Sequence, residues 1–422
     1  MRQLFNKQYS YYFLLLVTLF INSAHALDLK QAEALSIQAD PLIEGFRATS
    51  DSYISASFAD NTLPDPTIHL GAVNVPVDTF DFEQEQMTQI KLGIQQKFAR
   101  GDSLAIKQQQ SQLMSSSSLA MADDARLHIL RDVRIAFLNL FYEVEAYQIV
   151  RETRQLFSEL VKVTQSNYAS GRGTQQDVVM ANLELSRLDD RSTKIQSNEE
   201  SYRAELAQWI GDIAWNEISR VFPVLPSFSE NIDLNVLIPQ HPLIRSATAT
   251  VSANKKMSEI ARQRYKPEWG VAFDYGYRSG NNPDGTARAD FASALVTLDV
   301  PLFTNNRQDK IVASNKHKIR ASRYLRDDQL RQLKNYYETN LHRWERLGDR
   351  EELYKNSLLK AAEDNAASAL KSYQSGVTEF DTLMRAEITE LDVRLEELRV
   401  RVDRVIAHAR LLYVTGDNDN EI

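Results

Sequence analysis

The chain has 422 residues, 43% hydrophobic and 25% charged, with 14 Gly, 11 Pro and no Cys. The apolar fraction supports a packed core and excludes a mainly disordered polypeptide. Without Cys there are no disulfides, thiolate metal sites, cysteine nucleophile or cysteine-linked lipid anchor. Lys and Arg total 49 against 57 Asp and Glu, a net charge of −8 with no basic block, so nucleic acid is not an expected partner.

At the N-terminus, Arg2 and Lys7 precede an apolar stretch, Tyr11–Ile21, and Ala24-His25-Ala26 forms an A-x-A cleavage site. This pattern predicts a secretory signal peptide over residues 1–26, with the mature chain starting at Leu27. The stretch is too short for a transmembrane helix, which needs roughly 20 apolar residues. Losing Arg2 and Lys7 takes the net charge from −8 to −10. No later stretch is apolar enough to span as a helix. The mature protein is therefore expected in the periplasm, outside the cell, or in an outer membrane as a β-barrel.

The remaining chain reads as two copies of one plan. Pro41-Leu42-Ile43 and Pro242-Leu243-Ile244 share a spacing with Pro66 and Pro267. Tyr168-Ala169-Ser170-Gly171 and Tyr373-Gln374-Ser375-Gly376 share another, which Ala181 and Ala386 keep. The expected repeats are 27–222 and 223–422, joined by the Pro-rich stretch from Pro223 to Pro242. In the first, a helix is followed by strands at about 66–75 and 87–98 and a long helix pair. In the second, a helix is followed by strands at about 268–278 and 290–300 and another pair. Residues 102–170 hold neither Gly nor Pro, and no proline follows Leu302. Leu130, Val133, Phe137, Leu140, Val144 and Tyr147 follow a heptad seam. One continuous helix there would reach about 100 Å, which suits a coiled coil or a tube. The serine run Ser115–Ser118 reads equally as an exposed face or a local irregularity. Asp417, Asp419 and Glu421 read as a charged tail.

The strand segments alternate with period two. Trp269, Val271, Phe273, Tyr275 and Tyr277 form one face, opposite Gly270, Ala272, Asp274, Gly276 and Arg278. Ala292, Ala294, Val296, Leu298 and Val300 share a face of the next strand. In the first repeat, Ile68, Leu70 and Ala72 alternate, as do Thr88, Ile90, Leu92 and Ile94 opposite Gln89, Lys91, Gly93 and Gln95. A polar face backing an apolar one is what a strand between a watery lumen and lipid needs. Four strands cannot close a membrane barrel, since such barrels begin at about eight. The strands either pack against protein or are pooled between chains.

This order of elements resembles the TolC family of outer-membrane efflux channels across essentially the whole mature chain. The most specific marks are Tyr168-Ala169-Ser170-Gly171-Arg172-Gly173-Thr174-Gln175-Gln176-Asp177-Val178, similar to the family's Y-x-x-G-x-x-x-x-x-D-V tip, and its second copy at Tyr373 and Gly376 with Leu383 and Ala386. The resemblance implies a mainly α fold with a small β part. Long coiled-coil helices would form a periplasmic α-barrel, and three chains would pool four strands each into a twelve-stranded β-barrel. It implies a homotrimer in the outer membrane of a Gram-negative bacterium, in contact with outer-membrane lipid. Its partners would be a periplasmic adaptor and an inner-membrane pump of the RND type, which supplies the energy. The segments Asn74–Phe82, Gln86–Gln89 and Phe98–Asp102 look most like the heavy-metal branch, the CusC and CzcC type, implying metal cation export. A multidrug or small-molecule channel of the same family is the alternative. A soluble periplasmic coiled-coil scaffold or adaptor is the alternative from another class.

The candidate tip and gate residues are Tyr168, Gly171, Arg172, Asp177, Tyr373, Gly376, Asp381, Thr382 and Arg385. Each glycine can supply the positive φ that ends a helix, and Asp177 can cap or charge the next one. The family commonly places a lumen-facing carboxylate six residues after the second glycine. Here that residue is Thr382, with Asp381 one earlier, and Arg385 stands near where some members have a second carboxylate. Charge pairs among Arg172, Asp177, Asp381 and Arg385 are therefore expected in place of two acidic rings. No two His lie at ligand spacing and no G-x-S-x-G, H-E-x-x-H or P-loop occurs, so no metal, cofactor or enzymatic activity is expected. Mass spectrometry of the exported protein should give Leu27 as its first residue; a product that retains Met1 would overturn the signal-peptide reading.

Overall fold

The computed structural model describes residues 26–228 and 233–416. The signal peptide up to His25 and the acidic tail at Asp417, Asp419 and Glu421 lie outside the described residues. In chain order the elements are α1 (Leu29–Ile37), α2 (Pro41–Asp60), β1 (Thr67–Val73), β2 (Gln89–Phe98), α3 (Ser103–Ala169), α4 (Gln175–Ile210), α5 (Leu234–Leu237), α6 (Pro242–Gln263), β3 (Glu268–Tyr277), β4 (Phe291–Asp299), α7 (Gln308–Leu353), α8 (Leu359–Gln374) and α9 (Phe380–Thr415). A π turn over Tyr354–Leu358 joins α7 to α8.

The chain divides into two compact units, and each half of the sequence contributes to both. One unit holds Asp132–Leu225 and Trp344–Ala409 with the chain up to Gln38; the other holds Ala39–Arg131 and Pro226–Arg343 with the chain from Arg410. In the first, α3 buries Val133, Phe137, Leu138, Leu140, Val150 and Phe157, and α9 buries Leu383, Leu391, Leu395 and Leu398. Val144 and Tyr147 of the expected seam are only half-buried, while Phe141 and Ala146 beside them are buried. The buried stripe is wider than a two-stranded seam because α3 packs against more than one neighbour. Arg134 is buried with its Nε 2.5 Å from Glu33 of α1.

The second unit holds the sheet. Its strands run β1-β2-β3-β4, all antiparallel. The two Pro-Leu-Ile segments prove to be helix starts, Pro at the first position tolerating the loss of an N–H that has no partner there. Asp40 caps α2 by accepting from the N–H groups of Leu42 and Ile43 at 2.8 and 3.2 Å. His241 caps α6 by accepting from the Leu243 N–H at 3.3 Å. Ile43 and Ile244 are both buried. Ser115, Ser117 and Ser118 of the serine run are buried packing positions of α3, while Ser116 is exposed. Ser115 Oγ meets Ser50 Oγ of α2 at 2.7 Å, and Ser117 Oγ meets Ser246 and Thr250 of α6 at 2.8 and 3.1 Å. Small hydroxyl side chains let helices approach closely while satisfying their own hydrogen bonds.

His241 also joins a buried polar cluster. Because its Nδ1 accepts from Leu243, the proton sits on Nε2, which donates to the Tyr413 carbonyl oxygen at 2.9 Å. The Tyr413 hydroxyl donates to Asp124 Oδ1 at 3.0 Å and lies 2.9 Å from His128 Nε2. Arg131 lies over the Tyr413 ring and Tyr336 meets its edge. Burial pushes the His241 pKa down, against the pull of the Tyr413 carbonyl and of Asp124 at 3.9 Å. An unfolded chain takes the proton near pH about 6.5, which the folded His241 refuses, so its stabilisation is whole above that pH and is lost as pH falls below it. His241→Asn keeps an acceptor at the helix start. It should flatten the fall in melting temperature between pH 7 and 5; an unchanged slope would place that dependence on other groups.

Candidate functional site

The two helix-turn segments lie in the first unit and end their helices alike. At the first, Gly171 has φ +70°, its N–H donates to the Tyr168 carbonyl at 3.0 Å, and the Arg172 N–H reaches back to Asn167 at 2.8 Å. At the second, Gly376 has φ +72°, its N–H donates to Tyr373 at 3.0 Å, and the Val377 N–H reaches Ser372 at 2.9 Å. Both are helix stops in which a left-handed residue lets late carbonyls find donors. The turns also touch: the Asn167 amide donates to the Tyr373 hydroxyl at 3.3 Å.

The helix starts beyond them differ. Thr174 and Asp177 form a capping box on α4, the Thr174 hydroxyl accepting from the Asp177 N–H at 3.1 Å and the Asp177 carboxylate from the Thr174 N–H at 3.0 Å. At α9, Asp381 stands in the first turn and the Thr378 hydroxyl is buried with no partner among the described residues. Asp381 pairs with Arg385 through two contacts of 3.1 and 3.0 Å. Arg172 bonds instead to the Ser170 hydroxyl at 3.1 Å. Of the four charged residues, then, Asp381 and Arg385 are brought together, while Arg172 and Asp177 each serve their own turn. Asp381, Thr382 and Arg385 line a groove of about 370 Å³ with Asn365, Ala386 and Thr389. Tyr168 is exposed and Tyr373 half-buried against Phe380, ring centroids 5.6 Å apart. Glu387, which sequence reasoning passed over, is buried two turns into α9. Its burial, and then Glu390, hold its carboxyl above the usual range.

The sheet lies in the second unit and presents two chemically distinct faces. Register places Ile68, Ile94, Phe273 and Ala294 in one row and Leu70, Leu92, Tyr275 and Ala292 in the next. These large residues remain exposed, Ile68 by 71% and Phe273 by 59%. The opposite face carries a cluster that the sequence did not reveal. Asp274 of β3 is 2.6 Å from His69 Nε2 of β1 and 2.9 Å from Lys91 Nζ of β2. Gly93 lies between them in the register, and a Cβ there would collide with the Asp274 carboxylate and the His69 ring. The only sequence signal was that all three occupy polar-face positions. Among the described residues no group of three or more His, Cys, Asp or Glu could hold a metal ion.

Comparison with known proteins bears on both regions. Residues 234–417 match the family model described as outer membrane efflux protein. The Campylobacter jejuni CmeC outer membrane channel superposes with a TM-score of 0.79 at 13% identity, over 93% of this chain and 87% of that one. This is the fold of an outer-membrane channel. CusC superposes with a TM-score of 0.77 at 12% identity, over 92% of each chain, so the fold does not single out CusC. The alkaline protease secretion protein AprF of Pseudomonas aeruginosa is 20% identical over 289 residues. That match spans 67% of this chain and 60% of AprF.

The positive φ at both tip glycines predicts a steric penalty without a packing clash, since nothing lies within 4 Å of a Cβ at either. Gly171→Ala and Gly376→Ala should each cost about 1–2 kcal/mol, read as a lower melting temperature. A variant as stable as wild type would show that the turn relaxes out of the left-handed region.

Proposed function

We propose that this chain is the outer-membrane exit channel of a tripartite export system, a passive conduit with a large periplasmic helical part. The observation that carries the reading is the sheet: a face of exposed Ile, Leu, Phe and Tyr backed by a face of Gln, Lys, His and Asp, on the channel fold. Lipid favours the first face and a water-filled lumen the second. Three chains pool their strands into a closed twelve-stranded barrel, because β1 and β4 otherwise leave open edges in hydrocarbon. The two sequence repeats supply two strands each, and their helix turns form the periplasmic tip. Tyr168, Gly171, Arg172, Asp177, Tyr373, Gly376, Asp381, Thr382 and Arg385 shape that tip, where an adaptor and an inner-membrane pump of the RND type dock.

Heavy-metal cations are the proposed cargo, supported by the likeness of the Asn74–Phe82, Gln86–Gln89 and Phe98–Asp102 segments to the cation-exporting branch. A channel need not bind its cargo tightly, and a wide lumen selects little. Multidrug or small-molecule export is the second reading, kept because CusC superposes no better than the other outer-membrane channel, so the fold does not favour a metal cargo. Growth of a deletion strain on graded copper, silver, zinc, cobalt, cadmium, dyes and antibiotics separates them. Sensitivity confined to one or two cations, reversed by the wild-type copy, is the expected result. Broad dye and antibiotic sensitivity with normal metal tolerance would overturn the cation cargo and keep the channel.

A further inference from the structure

The glycines of the sheet act as slots for neighbouring side chains. On the polar face, a Cβ at Gly93 would meet His69 and Asp274, one at Gly276 would meet Gln89, and one at Gly270 would meet Thr297 at 3.0 Å. A strand glycine of this kind marks the close approach of another group. Gly71 of β1 stands on the same face, level with Lys91, and a Cβ there would find nothing within 4 Å. Among the glycines of the described strands it alone is unfilled, and it lies on an edge strand.

The other edge has the opposite fault. On the polar face of β4, Phe291 and Leu295 stand among Ser293, Thr297 and Asp299. The Arg278 guanidinium covers Phe291, 4.2 Å from its ring centroid. Leu295 stays 54% exposed, a large apolar side chain on the face assigned to the lumen.

Closure limits how these edges can meet. Three identical chains in one barrel share one seam register, and it changes in steps of two residues, because a step of one turns every side chain to the wrong face. The row through Thr67, Gln95 and Ala272 ends at Leu295. Setting Leu295 against His69, Gly71 or Val73 of the neighbouring chain shifts that row by two, four or six residues per chain, for a total shear of about 6, 12 or 18. Eight strands with a shear of eight tilt by about 36°, so twelve strands with these shears tilt by about 20°, 36° or 48°. Membrane barrels hold about 35–45°. The four-residue shift also pairs all of Thr67–Val73 with residues 293–299, inside β4. The six-residue shift brings Pro301, which has no N–H, against Thr67. Shifts in the other sense set Leu295 against residues that precede β1.

We propose that β4 of one chain pairs with β1 of the next in the register that sets Leu295 opposite Gly71, so that the leucine fills the vacant glycine slot. The same register sets Leu298 against Ile68, Val296 against Leu70 and Ala294 against Ala72 on the lipid side, joining large with large and small with small. Inside, Thr297 meets His69. The partner is a second copy of this chain. The seam rests on the channel reading, which supplies twelve strands but not their register.

The chain has no Cys, so cysteine pairs can be introduced without background. Directly opposite residues hold their Cβ atoms about 4.5–5.5 Å apart, and diagonal neighbours lie too far apart for an unstrained disulfide. The full chain is oxidised in membranes and run on denaturing gels without reductant. Val296→Cys/Leu70→Cys reads the lipid face and Ser293→Cys/Val73→Cys the lumen face, and one of them is the closer, non-hydrogen-bonded kind of pair. That pair should cross-link chains about tenfold faster than its displaced counterparts, Val296→Cys/Ile68→Cys and Val296→Cys/Ala72→Cys or Ser293→Cys/Gly71→Cys. A second measurement needs no cysteine. Gly71→Leu should lower the temperature at which the trimer dissociates in detergent, and Gly71→Leu/Leu295→Gly should recover at least half of the loss. A displaced pair that cross-links faster than its aligned pair would overturn the register, as would a double variant no more heat-resistant than Gly71→Leu. A trimer that cross-links through none of the pairs would overturn the seam and leave the channel reading standing. A chain that is monomeric in mild detergent and cross-links in no pair defeats both.

Discussion

Among the described residues, strands β1 and β4 each pair on one side only, and the face they share is apolar and exposed. A backbone N–H or C=O placed in hydrocarbon without a partner costs several kcal/mol, so an open-edged sheet is untenable there. The same sheet would be an aggregation hazard in water, because its Ile, Leu, Phe and Tyr rows remain uncovered. Closure by strands pooled from further chains, as proposed, would remove both problems. The number of strands in one chain therefore bears directly on how many chains the working assembly needs.

The helices solve a different problem. They are long, and much of their surface is charged, with ion pairs such as Arg394–Glu152 and Arg191–Asp392 linking neighbouring helices. Surface pairs of this kind contribute little each. Cohesion comes from buried stripes such as Val133, Phe137 and Leu140, and in the second unit from hydroxyl contacts at Ser115 and Ser117. Where small polar residues replace large apolar ones, helices gain close approach at the expense of buried apolar area.

Much of this was legible in the sequence because the relevant physics is local. Period-two alternation sets the two faces of each strand, and a glycine after a long helix signals a left-handed stop wherever it occurs. The His69–Asp274–Lys91 cluster was not legible, since it depends on β2 lying between β1 and β3, and His69 and Asp274 are far apart in the chain. The serine run stayed ambiguous for the same reason: a hydroxyl suits either water or a facing hydroxyl, and only the neighbouring helices decide. At the tips the backbone was readable but the side-chain partners were not. Arg172 has a carboxylate nearby in sequence, Asp177, and bonds to Ser170 instead.

The π turn at Tyr354–Leu358 has a further consequence. Ser103–Ala169 is one uninterrupted α-helix, while the matching arm from Gln308 to Gln374, of equal residue count, contains that wide turn. A π turn lodges one residue more than an α turn, so α8 is rotated by about 100° relative to an unbroken helix. The two stops can then share one hydrogen-bonding pattern while the helices entering them point different side chains the same way. In a closed ring of three chains, six turns of like backbone would form two alternating kinds of seat. A visiting protein would find threefold chemistry on a rim whose main chain is nearly sixfold.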